Sequence, residues 1–136
     1  MPPILIFRPV LAAVLCLTLA APVAAKPPLR EVAQIDDALM MVAIADEIRK
    51  TCSDISARMI RALGTVNGLK AQAQALGYTD DEIKDYVRSD AEKKRMRAKA
   101  TGWLAARGVA ASDSAQLCRF GKSEIARDSE IGRLLR

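Results

Sequence analysis

Apolar residues recur at every third or fourth position along two successive stretches of this chain. An α-helix has about 3.6 residues per turn, so this spacing puts them on one helix face. The first stripe consists of Leu39, Val42, Ala45, Ile48 and Cys52. Asp36 and Asp37 stand just before it, where carboxylates favour a helix start. The pattern predicts one amphipathic helix that ends close to Cys52.

The second stripe consists of Ile55, Met59, Leu63, Val66, Leu69, Ala73 and Leu76. Ser53 or Asp54 can cap this helix at its start, and Gly77 marks its end. Gly64 and Gly68 lie four positions apart inside it. Each costs about 1 kcal/mol relative to alanine, so we expect a neighbouring helix to approach closely there.

The next segment divides into two helices. Thr79 and Glu82 form one capping box, and Ser89 and Glu92 form another. The first part buries Ile83, Tyr86 and Val87, whereas the later stripe of Met96, Ala100 and Trp103 lies in a different sector of the helix. One straight helix would bury two faces, so the pattern predicts helices over 80–88 and 90–106, with Gly108 as the terminator.

A last helix begins near Asp113 and carries Leu117, Cys118, Phe120 and Ile125. Gly132 is expected to weaken the tail, while Ile131, Leu134 and Leu135 are expected to dock as a final turn. No alternating pattern typical of strands competes with these helices. The fold class predicted is therefore all-α, a compact bundle of about five helices.

The first 25 residues differ from the rest. A single basic residue, Arg8, precedes an uncharged apolar run, and Val23 and Ala25 form a small-residue exit. This order is typical of a secretory signal peptide cleaved after Ala25. An uncleaved membrane anchor is the alternative, but the run is shorter than the roughly 20 residues that a spanning helix needs. We therefore predict a signal peptide over 1–25, a single helical domain over 26–136 without a membrane span, and a periplasmic or secreted location.

Cleavage would leave two cysteines, Cys52 and Cys118, which have no metal-type spacing. In an oxidising compartment such a pair is most simply a disulfide. In the chain-entropy model, closing the loop between them stabilises the fold by about 4 kcal/mol. A buried free pair and a redox-active pair are the alternatives, although no Cys-x-x-Cys motif supports the second.

The absence of histidine restricts the chemistry. It removes the commonest general base, the commonest metal ligand and every Ser-His or Cys-His nucleophile arrangement. We therefore expect no enzyme, no cofactor and no metal site. A two-carboxylate hydrolase acting on cell-wall glycan stays open through Asp46, Glu47 and Asp54, but charged residues beside an apolar stripe usually form its solvated face.

The net charge of +5 includes Arg8 and is mild. It does not indicate nucleic-acid binding, which needs basic residues gathered on one face. The run around Lys93, Lys94 and Arg97 spreads its charge around a helix, so a solvated face is the simpler interpretation. Contact with an anionic envelope surface or an acidic protein is the alternative.

The remaining aromatic residues complete the candidate interaction surface. Trp103 is interpreted as the largest piece of the core, with a half-exposed anchor for a partner as the alternative. Tyr78 and Tyr86 lie at the two ends of the short third helix. A groove between this helix and its neighbours is therefore a candidate recognition surface.

The order of features resembles a family of small exported bacterial proteins, a domain of unknown function. The resembling stretches are PPLR at 27–30, CSDISAR at 52–58, ALGYT at 75–79, SDAE at 89–92, EIAR at 124–127 and IGRLLR at 131–136. The resemblance implies export and a single helical domain with one cysteine pair. It implies no activity and no site residues.

These observations favour a non-enzymatic binding or interaction protein of the cell envelope, with an envelope protein or an anionic envelope surface as its partner. A small stress chaperone or enzyme inhibitor is a second hypothesis, and the glycan hydrolase is a third. The partner and the oligomeric state do not follow from the sequence.

Overall fold

The computed structural model describes residues 25–136. Within them lie five α-helices: α1 (Ala33–Thr51), α2 (Met59–Ala75), α3 (Asp80–Arg88), α4 (Asp90–Ala105) and α5 (Ser114–Ala126). Two 3₁₀ turns, Leu29–Glu31 and Gly132–Leu134, lie at the two ends of the described chain. The predicted all-α fold of about five helices is confirmed. Apart from Ala25, the predicted signal peptide falls outside the described residues.

Helix α1 lies at the centre and packs against α2, α4, α5 and the C-terminal turn. Its buried side chains include Met40, Ile44 and Ile48. These contact the main core, whose other members are Ala45, Cys52, Ile55, Leu104, Leu117, Ile131, Leu134 and Leu135. A smaller apolar cluster of Leu29, Ile35, Ala73, Tyr78 and Ile83 lies at the other end of α1.

A disulfide joins Cys52 to Cys118, with 5.6 Å between their Cα atoms. Cys52 directly follows α1 and is 2% exposed, while Cys118 lies on α5. The bond therefore fastens the end of the central helix to the last helix. The sequence prediction of this pairing is confirmed.

The connection from α1 to α2 differs from the sequence prediction. Helix α2 begins at Met59, so neither Ser53 nor Asp54 caps it as predicted, and no side chain caps it. The preceding residues form an antiparallel bridge between Ala57 and Leu135. The amides of Ser56 and Arg136 each donate to the other's carbonyl at 2.8 Å. Pairing with the distant C-terminal tail replaces the first helical turns, and it buries Ile55 in the core.

The break between α3 and α4 lies where the capping residues predict it. Thr79 and Glu82 form a complete capping box at the start of α3. At α4 only half of the predicted box forms, because Ser89 accepts from the Glu92 amide but the Glu92 carboxylate pairs with Arg95 and Arg30. Helix α4 ends at Ala105, followed by Gly108 with a φ of +74°.

The C-terminal tail is firmly docked, contrary to the expectation that Gly132 weakens it. Ile131, Leu134 and Leu135 are at most 5% exposed. A Cβ atom at Gly132 would collide with the Glu124 carbonyl group. Glycine therefore allows the tail to lie directly on the end of α5.

Replacing Gly132 with alanine should change the free energy of unfolding in the opposite direction to replacing a glycine of α2 with alanine. Gly132→Ala should lower the free energy of unfolding by about 3 kcal/mol, because the new methyl group forces the tail from α5. Gly64→Ala should raise it by about 1 kcal/mol, since its Cβ meets nothing within 4 Å and alanine favours the helix. Urea unfolding followed by circular dichroism measures both. Equal effects from the two substitutions would contradict this account of the tail.

Candidate functional site: an apolar groove along α1

Much of the apolar stripe predicted for the core of α2 is open to solvent. Met59 is 57% exposed, Leu63 58% and Val66 42%. Within α2 only Leu69 and Ala73 are buried. No other helix covers Gly64 or Gly68, since a Cβ at either position would meet nothing within 4 Å. The close helix approach expected at these glycines is therefore not made within the described chain.

Helix α1 contributes to the same open region. Its core-facing residues are Met40 and Ile44, and this rotation leaves Leu39 and Val42 only half-buried. Leu39 and Val42 lie between α2 on one side and α3 with the start of α4 on the other. Parts of the two stripes that the sequence assigns to the core thus line an open groove.

The groove consists of three adjoining cavities. The first, of about 220 Å³, lies between α1, α2 and α3. The second, of about 250 Å³, shares Leu39, Tyr86 and Val87 with it. The third, of about 90 Å³, shares Val42 and Asp46 with the second. Together they follow α1 from Ile35 to Arg49, a length of about 21 Å at the helical rise of about 1.5 Å per residue.

The charged residues along the groove leave an excess of positive charge. Its three carboxylates already have cation partners: Asp46 pairs with Arg49 and Lys50, Asp80 with Lys70, and Glu92 with Arg95 and Arg30. Arg88 also lines the groove, and no carboxylate in residues 25–136 lies within ion-pair distance of it. The lining lysines Lys84 and Lys93 are paired with Asp81 and Asp90, so an incoming ligand would meet an apolar surface with one cation, Arg88, that has no carboxylate partner in the described chain.

A buried cluster of ionic side chains holds one wall of the groove in place. Asp36 is 3% exposed. It accepts hydrogen bonds from Arg95 at 2.5 and 3.2 Å, from Lys99 at 2.6 Å and from the Tyr86 hydroxyl at 3.1 Å. Arg95 also binds Glu92 at 2.8 Å. The Tyr86 ring lines the groove while its hydroxyl belongs to this cluster, so the cluster fixes the ring.

The same contacts set the protonation of Asp36. Burial raises its pKa, but hydrogen bonds from Arg95 and Lys99 outweigh burial and bring the pKa below the ordinary value of 3.8. The pKa of Asp46 is also lowered, because hydrogen bonds from Lys50 and Arg49 outweigh the effect of burial. For Tyr86, burial and the Asp36 charge raise the pKa.

The lowered pKa values of Asp36 and Asp46 predict that these two carboxylates stabilise the fold except in acid solution below about pH 4. A carboxylate with a lowered native pKa stabilises the fold above its unfolded pKa of 3.8, and the contribution is lost as the pH falls through the native value. We expect urea midpoints to be constant from about pH 7 to about pH 5 and to decline below about pH 4. The chain has no histidine, so no histidine titration would destabilise the fold in mildly acidic solution. A decline in the urea midpoint there would contradict this prediction and favour the stress-chaperone hypothesis.

The structure separates the residues of the predicted interaction surface. Tyr86 and Lys93 line the groove, whereas Lys94 and Arg97 are exposed on α4. Tyr78 is 7% exposed, and its hydroxyl donates to the Pro27 carbonyl.

Trp103 lies apart from the groove. It is half-buried beside the core and meets Phe120 edge to face, with 6.2 Å between the ring centroids. The Arg107 guanidinium covers its ring at 3.4 Å. The indole therefore already has partners within the chain.

The three carboxylates considered for hydrolysis do not share one site. Asp46 lies in the groove between two cations, Asp54 pairs with Lys122 of α5 at 2.5 Å, and Glu47 is exposed. Among residues 25–136, no group of three or more His, Cys, Asp or Glu side chains is arranged to hold a metal ion.

Sequence reasoning missed Leu39, Val42 and Arg88 as groove residues and Asp36 as the centre of the ionic cluster. Leu39 and Val42 were assigned to the core because periodicity reports only that a face is apolar. The adjacent apolar residues Met40, Met41, Ala43 and Ile44 were the signal that a second face of α1 competes for the core.

Comparison with protein families matches residues 27–136 to the model of DUF5333, a family of unknown function. The chain belongs to DUF5333. The match covers all five helices, the disulfide and the groove of this DUF5333 protein. Searches of curated proteins and of solved structures gave no match. No helix in the described part is both long and apolar enough to cross a membrane.

Proposed function

We propose that this DUF5333 protein is a non-enzymatic binding module whose groove takes up an amphipathic helix of a partner protein. The observation that carries the proposal is the open apolar groove along α1. An open apolar cleft rimmed by polar residues is typical of an interaction site. The predicted signal peptide would place the module in the cell envelope, where its partner would be found.

The shape of the groove suits a helix. A length of about 21 Å corresponds to about 14 helical residues, or nearly four turns. Helix-in-groove recognition uses apolar anchors at positions i, i+3 or i+4, and i+7 of the ligand. The cavity beside Leu39 and Val87 and the smaller one beside Val42 and Met59 would receive separate anchors.

The charges specify the flanks of that helix. Because Arg88 has no carboxylate partner in the described chain and the groove's own acids are paired, acidic residues on the ligand would gain attraction at the rim. Basic residues there would be repelled. The ligand favoured is therefore an apolar helix with acidic edges.

The frame around the groove supports a preformed site. The disulfide fixes one end of α1, and the Asp36 cluster fixes α4 and Tyr86 against the other. A preformed groove loses less conformational entropy when a ligand binds than a mobile one does.

A designed peptide tests the proposal. A fluorescein-labelled helix of about 15 residues would carry leucines at the anchor positions and glutamates on both flanks, and a second version would carry lysines on the flanks. Fluorescence anisotropy should show saturable binding of the glutamate version and at least about tenfold weaker binding of the lysine version. Absence of binding by either peptide, or equal binding of both, would contradict the proposal.

Two single substitutions provide the matched control. Val87 lines the groove and is 56% exposed, so Val87→Asp adds charge to the site with little loss of buried core. It should weaken binding of the glutamate peptide at least about tenfold. Ile60 of α2 is 90% exposed and lines none of the three groove cavities, so Ile60→Asp should leave binding unchanged. Equal losses would place the peptide elsewhere.

A further inference from the structure

We infer that a second surface, at the start of α2, docks on an anionic phospholipid bilayer. Arg58, Arg61, Arg136, Met59 and Ile60 form this surface, called here the arginine patch. All five line one open depression of about 620 Å³. Only Met59 of these five residues also lines a cavity of the peptide groove, since Ile60 and the three arginines line none of them.

The apolar part of the arginine patch projects from the fold. Ile60 is 90% exposed and Met59 57% exposed. Leu63, one helical turn beyond, is 58% exposed. Single exposed apolar residues are common, but three adjacent ones on a helix surrounded by arginines are typical of segments that insert shallowly at a membrane interface.

The arginines are available for anions. In residues 25–136 no Asp or Glu side chain lies within ion-pair distance of Arg58, Arg61 or Arg136. Each makes a limited contact of its own: Arg58 Nε donates to the Leu135 carbonyl at 2.8 Å, Arg61 Nη1 to the Arg133 carbonyl at 3.4 Å, and Arg136 Nε to Ser56 Oγ at 3.3 Å. A guanidinium has five N–H donors, so most remain for phosphate oxygens.

The positive charge of the arginine patch favours an anionic bilayer over a second copy of this chain as the partner. Helix α2 contains no acidic residue, so two copies of the arginine patch would face each other with like charges. An anionic bilayer offers phosphates at the level of the arginines and hydrocarbon beneath for Ile60 and Met59. Docked in this way, the end of the groove at Met59 would lie next to the membrane.

Vesicle co-sedimentation tests the inference, with the protein purified after expression of the full chain and its disulfide intact. The probes are phosphatidylcholine vesicles with and without phosphatidylglycerol. We expect binding only to the anionic vesicles, weakened by salt. Equal binding to both kinds, or binding to neither, would overturn the inference, as would binding of the acidic peptide at the arginine patch without vesicle binding.

Charge reversals at two sites distinguish an effect of the arginine patch on vesicle binding from an effect of the net charge of the protein. Arg61→Glu should reduce vesicle partitioning at least about tenfold, and so should Ile60→Asp. Arg97→Glu changes the charge equally on the exposed face of α4 and should have a much smaller effect. An equal loss in Arg97→Glu would overturn the inference. Val87→Asp should retain vesicle binding while losing the peptide, so failure of one proposal is distinguishable from failure of the other.

Discussion

Removal of the Cys52–Cys118 bond is expected to lower the free energy of unfolding by about 4 kcal/mol. The two cysteines are separated by 66 residues, and opening so long a loop returns much conformational freedom to the unfolded chain. Domains of this size are typically stable by about 5–15 kcal/mol, so the bond would supply a large share of the total. The folded helices should persist after reduction, but with a small margin.

Urea unfolding of three samples measures this effect: the oxidised protein, the reduced protein and the double variant Cys52→Ala/Cys118→Ala. The reduced protein reports the effect of the cross-link, since it keeps the cysteine side chains. The double variant should be less stable still, because Cys52 is 2% exposed and its replacement leaves space in the core. A loss below about 1 kcal/mol on reduction would show that the bond is not a main support of the fold.

Asp36→Asn should lower the free energy of unfolding by about 3 kcal/mol. The substitution removes the charge shared by Arg95 and Lys99 and directs amide hydrogens toward cations that are partly buried. Removing one partner of a buried ionic cluster is costly because the remaining charges lose their compensation. Thermal and urea unfolding at neutral pH measure the change.

Asp46→Asn is the matched control for this prediction. Asp46 also pairs with two cations, Arg49 and Lys50, but its side chain is 38% exposed. Solvent screens such pairs, so we expect a loss of at most about 1 kcal/mol. If the two variants lost the same stability, burial of the Asp36 cluster would not be the source of its importance.

Local signals predicted the parts of the fold that depend on neighbouring residues. The break at Ser89 followed from two capping residues and a change of apolar sector, and the structure places it there. The disulfide was predicted from the cysteine pair together with the predicted signal peptide. The last turn docks as predicted, with Ile131, Leu134 and Leu135 buried.

Contacts between residues far apart in the sequence account for the differences between the sequence predictions and the structure. The segment before Met59 is extended because it pairs with residues 134–136, about eighty positions later, and no local pattern reports such a partner. Asp36 was interpreted as a helix-start residue from its local position alone. Its partners Arg95 and Lys99 lie about sixty positions away in sequence, so no local pattern indicates them. Helical propensity is a weak guide where tertiary pairing competes.

The groove also shows that a local sequence pattern does not report which distant residues pack against it. A stripe at helical spacing predicts an apolar face but not what covers it. For Leu39 and Val66 the sequence suggested a core, and the structure leaves both beside an open cavity. The third helix was nevertheless placed next to a candidate groove, and Tyr86 does line it.

Mapping of amide chemical shifts tests the central claim most directly. The ¹⁵N-labelled protein would be titrated with the glutamate-flanked peptide and followed by two-dimensional NMR. We predict that the largest shifts belong to the amides of Leu39, Val42, Val66 and Val87, with little change at Arg97 or Trp103. Shifts centred on Arg97 or Trp103, or no saturable shifts, would contradict the claim that the groove along α1 is the binding site.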